Sequence, residues 1–73
     1  MLVADDQRLA EAEEFARAAV AQEPEHANYL DTLAWVLHHA GKQEEALSFA
    51  QKAVKLDPKQ AYRDHLEAIR STI

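Results

Sequence analysis

A self-similarity at an offset of 34 residues constrains this chain more than any other feature. Moved by 34, Ala12 falls on Ala46, Phe15 on Phe49, Ala16 on Ala50, Ala19 on Ala53, Val20 on Val54 and Pro24 on Pro58. Further along, Ala27 falls on Ala61 and Ala34 on Ala68. A period of this length marks an array of small supersecondary units, each of which buries its apolar face only by stacking on the next. The 73 residues are enough for one small domain. A chain this short is marginal alone unless its elements pack very regularly or it borrows surface from a neighbour.

The punctuation divides the chain into helical segments. Asp5-Asp6-Gln7 opens a first segment that runs to Glu23, before Pro24. A second runs from about His26 to Ala40 and stops at Gly41, the one glycine, where a left-handed cap is expected. A third runs from Gln43 to Leu56, ahead of Asp57-Pro58, and a fourth from Gln60 to the C-terminus. Abundant Ala and the lack of β-branched runs favour helix throughout. The short connections predict antiparallel hairpins, so the fold class is all-α with three to four helices. Each segment carries an apolar stripe at helical spacing. In chain order these are Ala12, Phe15, Ala16, Ala19 and Val20; Leu30, Leu33, Ala34 and Leu37; Ala46, Phe49, Ala50, Ala53 and Val54; and Tyr62, Leu66, Ile69 and Ile73.

The stretch Ala27 to Gln60 resembles one unit of the tetratricopeptide repeat family, a helix-turn-helix repeat of 34 residues. Leu30, Leu33, Ala34 and Leu37 match the large-large-small-large pattern of its first helix. Gly41 stands at the turn, Ala46 and Ala53 at the small packing positions of the second helix, and Pro58 at the close of the unit. Ala50 departs from the pattern, where an aromatic is commoner, and Phe49 is expected to supply that volume. The resemblance implies a right-handed superhelical stack of such hairpins. It divides the chain into residues 1–24, a partial unit made mainly of its second helix; 25–59, a complete unit; and 60–73, a C-terminal capping helix. Met1-Leu2-Val3 reads as the last turn of a preceding first helix, with Val3 matching Leu37. Asp64 and Glu67 occupy positions that should be apolar, so the last segment is expected to close the stack with an outer face of Arg63, Asp64, Glu67 and Arg70. Because the register begins in mid-unit, the expectation is the C-terminal end of a longer array.

The resemblance also implies a function: binding a partner protein or peptide in a concave groove lined mainly by first helices. In the complete unit the groove-facing residues are then Asn28, Asp31, Thr32, Trp35, His38 and His39, the positions left once the core stripe is removed. Trp35 sits one residue past the core Ala34. It is either a partner anchor of the kind common at interfaces or a space-filler against a neighbouring helix. A subset of the family grips acidic tails through Lys, Arg and Asn. Here Asp31, Thr32 and Trp35 suit a carboxylate poorly, so an apolar, aromatic or mildly basic partner segment is expected. An apolar edge at Met1-Leu2-Val3 would in addition allow two copies to associate, which makes a homodimer the alternative reading.

Other chemistries find little footing. His38 and His39 are adjacent, so their side chains diverge around the helix, and Asp31 lies roughly 10 Å along the axis from His38. That is no metal-ligand spacing, and imidazole so near Gly41 suits the helix C-terminus instead. His26 and His65 read as isolated surface residues. The clusters Glu11, Glu13, Glu14 and Glu44, Glu45 read as solvated faces early in second-type helices, where negative charge is favourable. Ser48, Ser71, Thr32 and Thr72 lack the strained turn and partners of a nucleophile. Without Cys there is no disulfide framework or thiolate site, and a single Gly gives no phosphate-cradling loop. No catalytic residue, metal or cofactor is therefore expected. The formal net charge of -5 disfavours nucleic acid and anionic membrane surfaces as partners. No apolar run is long enough to span a bilayer, and no signal peptide is evident at the N-terminus. Cytoplasmic residence is the expectation.

Overall fold

The computed structural model describes residues 2–72, with side chains from residue 8 to residue 72. The apolar edge expected at Met1-Leu2-Val3, and Ile73 of the last stripe, therefore lie outside the described side chains. Four helices follow one another: α1 (Leu2–Gln22), α2 (Ala27–His39), α3 (Gln43–Leu56) and α4 (Gln60–Thr72). They form the all-α, helix-turn-helix architecture expected, with no strand among the described residues.

The turn between α2 and α3 follows from Gly41. Its φ of 83° is left-handed, a region open to glycine at little cost. The reversal lets the Lys42 amide donate to the Leu37 carbonyl at 2.9 Å and the Gly41 amide to the His38 carbonyl at 3.2 Å. Two carbonyls orphaned by the helix end are thereby satisfied. Gln43 adds a side-chain contribution, since its Nε2 donates to the His38 carbonyl at 2.9 Å.

The same device is missing one period upstream, and the fold differs there. Gln7 stands 34 residues before Gly41, and α1 runs through it as continuous helix from Leu2. The expected opening of the first segment at Asp5-Asp6-Gln7 is thus corrected: without a residue that accepts positive φ, the chain simply stays helical from Leu2. A second correction follows. Glu11, Glu13 and Glu14 lie in the middle of a 21-residue helix rather than in its first turn. Glu13 is no solvated carboxylate. It accepts from Lys42 Nζ at 2.9 Å and from Arg17 Nε at 2.9 Å, and Arg17 also reaches Glu45 at 3.1 Å. Lys42 first, then Arg17, hold the Glu13 carboxyl below its ordinary range. Glu44 and Glu45 do occupy the first turn of α3.

The core is built from Leu30, Leu33, Ala34 and Leu37 of α2, Ala46, Ala50 and Ala53 of α3, Ala16 of α1, and Tyr62 and Ile69 of α4. Leu30, Leu33, Leu37 and Ile69 are its largest fully buried side chains, and fully burying each contributes about 1.5–3 kcal/mol. Small Ala residues on α3 let the α2 backbone approach closely. Phe49 and Leu66 pack on this cluster while partly exposed. Phe15 is the correction to the expected stripes: it is 77 % exposed on α1. Along α4, Tyr62 and Ile69 face inward, while Arg63, Asp64, Glu67 and Arg70 are exposed.

Candidate functional site

The face in question is made by α2 and α4 lying side by side. Their meeting residues are the same repeat positions one period apart. Asn28 Nδ2 donates to the Tyr62 hydroxyl at 3.5 Å, a long bond, and Asp31 meets His65. Both Asp31 carboxylate oxygens lie 2.9 Å from His65 Nδ1, which donates to them. Asp31 is 7 % exposed, the one buried charged residue among those described. A buried carboxylate without a partner is strongly unfavourable, so this contact fixes where α4 sits on α2.

Trp35 lies one turn beyond Asp31. Its ring stacks on His65 at 4.3 Å with an interplanar angle of 26°. His38 approaches it at 5.1 Å in a tilted arrangement, and His39 at 5.2 Å edge-on. The chain's one tryptophan is half-buried, bordered by three imidazoles and packed by its inner side on the core cluster. Each imidazole is placed by its helix. His38 is held by Nδ1 donating to Gln43 Oε1 at 2.9 Å, and His39 occupies the exposed end of the last turn. At the other end of α2, His26 caps the helix, its Nδ1 accepting from the Tyr29 amide at 3.4 Å while its ring stacks on Tyr29 at 3.8 Å. A shallow hollow of about 480 Å³ opens there, bordered by Asn28, Lys59 and Tyr62.

The six residues expected to face the groove therefore fall into distinct environments. Thr32, His39 and Asn28 are exposed, Trp35 and His38 are half-buried, and Asp31 is covered by His65. His65 is the residue that sequence reasoning placed wrongly. It is not isolated on the surface but stands at the centre of the α2–α4 contact. The signal was available in the period itself, since His65 is Asp31 displaced by 34, as Tyr62 is Asn28. Among the described residues, no group of three His, Cys, Asp or Glu could hold a metal ion. None of the described helices is long and apolar enough to cross a membrane.

Two antiparallel-packed helix pairs in register, with a shallow face of aromatic and imidazole side chains, define a helical repeat protein. The tetratricopeptide repeat model matches residues 27–60, which cover α2, the glycine turn, α3 and the closing proline. Residues 27–60 match a tetratricopeptide repeat, and repeats of that family generally mediate protein–protein interaction and are typically not catalytic. No curated protein matches the chain.

Proposed function

We propose that the chain is a binding module without catalysis of its own, taking a segment of a partner protein along the α2–α4 face. The carrying observation is Trp35, a large apolar ring left half-open among His38, His39 and His65 rather than sunk in the core. Its outer edge is apolar surface that a partner can desolvate, and aromatic anchors of this kind dominate many interfaces. Thr32 and His39 on the same helix, and Asn28 two turns before Trp35, add exposed polar groups for hydrogen bonding. Asp31 serves indirectly, by holding His65 against the indole. This chemistry favours an apolar or aromatic partner segment. In this reading residues 1–24 belong to one unit, 25–59 form the complete unit that carries the anchor, and 60–73 supply the cap that backs it.

Affinity capture from lysate with wild type beside Trp35→Ala tests the proposal. Loss of the anchor should cost about 2 kcal/mol, which is roughly 30-fold in affinity. A partner retained by wild type and lost by the folded variant supports the groove. Equal capture by both overturns it.

A further inference from the structure

The groups around Trp35 change charge with pH. The His65, His38 and His39 rings lie 4.3, 5.1 and 5.2 Å from the indole, centroid to centroid, and His38 and His39 lie 5.3 Å from each other. Imidazole is the side chain that ordinarily gains its charge between about pH 8 and pH 5. Two of these rings donate through Nδ1 to acceptors that suit either form, His65 to the Asp31 carboxylate and His38 to Gln43 Oε1, each at 2.9 Å. Protonation at Nε2 therefore alters the charge of the face and leaves its hydrogen bonds in place. The resulting charges meet different surroundings. His65 faces Asp31, whose carboxylate cancels its charge inside the α2–α4 contact. Among the described residues, no such group answers His38 and His39. What reaches His38 from α3 is the uncharged Gln43. Glu45 is tied to Arg17 of α1, and Lys42 of the turn to Glu13. Glu44 on α3 and Arg63, Asp64, Glu67 and Arg70 on α4 are exposed and join no ion pair among the described residues.

We propose that His38 and His39 make the groove release its partner in acid: an apolar segment seated on Trp35 is held at about pH 8 and let go as the pH falls towards about 6. This rests on the groove reading given above. The sign follows from desolvation. A segment that covers the indole also covers the two rings beside it. Neutral imidazole tolerates that cover. Imidazolium loses hydration with no carboxylate in return, and two such charges 5.3 Å apart repel each other more once water is excluded. Binding therefore favours the neutral rings, sheds protons, and weakens as acidity rises. His65 does not share in this, because Asp31 stays beside it in the free and the bound chain alike.

The probe is the hexapeptide Gln-Ser-Leu-Phe-Ser-Gln, blocked at both ends and carrying a pH-insensitive dye, so that only the chain titrates. Its affinity for the full chain is read by fluorescence anisotropy at about pH 8 and about pH 6. The expected result is an affinity about fivefold weaker at the lower pH. The double variant His38→Gln, His39→Gln should bind as wild type does at the higher pH and show a flat profile. His39→Gln alone, at an exposed position that leaves the helical circular dichroism intact, should remove part of the dependence. Trp35→Ala should lose the peptide at both values. Equal affinity at the two pH values, with binding still lost in Trp35→Ala, leaves the groove reading standing and overturns acid release. A profile that survives in the double variant also overturns it and assigns the titration to another group. Absence of binding at the higher pH, or binding indifferent to Trp35, overturns the groove reading and acid release with it.

Discussion

Asp31 and His65 form a contact whose two members are not equivalent in what their removal leaves behind. His65 is one-third exposed and can turn to water, whereas Asp31 is held under it with 9 % of its side chain accessible. Removing His65 leaves a buried carboxylate without its donor, at about 1–3 kcal/mol. Removing the carboxylate leaves an imidazole that solvent can serve. His65→Ala is therefore expected to destabilise more than Asp31→Ala, and the double variant to recover part of the His65→Ala loss. Urea unfolding of the four proteins in a double-mutant cycle measures this directly, and strictly additive effects would count against the coupling. The same experiment has an optical companion. His65 stacks on the one tryptophan, so His65→Ala should change Trp35 emission in the folded state while Asp31→Asn changes it less.

Helix boundaries were legible where backbone chemistry dictates them. Gly41, Pro24 and Pro58 place the ends of α2 and α3 to within a residue of where they fall, because a left-handed turn and a missing amide cannot be absorbed by packing. The start of α1 was misjudged for the converse reason. Asp5-Asp6 resembles a helix opening, but nothing there forbids helix, and the run from Leu2 continues. Gly41→Ala tests how much the turn depends on this one residue. A Cβ added at Gly41 would meet nothing within 4 Å, so the penalty is purely that of holding an L-residue at positive φ. The variant should lose about 1–2 kcal/mol, seen as a lower thermal midpoint with unchanged helicity below it. A midpoint equal to wild type would mean that the turn relaxes to another conformation without cost.

At the scale of the whole molecule, stripes of identical spacing meet opposite fates, and periodicity alone does not separate them. Phe15 and Ile69 each sit on an apolar stripe, yet one is 77 % exposed and the other fully buried. Spacing tells which residues share a face. Whether a neighbour covers that face depends on the order in which helices stack, and α1 has a neighbour on one side only among the described residues. The site was legible to a similar depth: the positions lining the face follow from the repeat, but the burial of Asp31 and the place of His65 require knowing that α4 lies alongside α2. The consequence for stability is unequal. Among the described residues, Ile69 is the one large fully buried side chain outside α2, and it joins α4 to the cluster of Leu33, Leu37 and Ala46. Ile69→Ala removes that bulk and leaves a cavity, at about 2–5 kcal/mol. A chain of this length has only about 4–11 kcal/mol of total stability. The substitution therefore uses up a large part of it, while Phe15→Ala leaves it nearly unchanged. Because α4 also covers Asp31, Ile69→Ala should loosen the His65–Trp35 stack at denaturant concentrations where the α2–α3 hairpin is still helical. Trp35 fluorescence would then unfold ahead of circular dichroism in this variant and together with it in wild type. Coincident transitions in both would show that the four helices stand or fall as one unit, with α4 no more detachable than the rest.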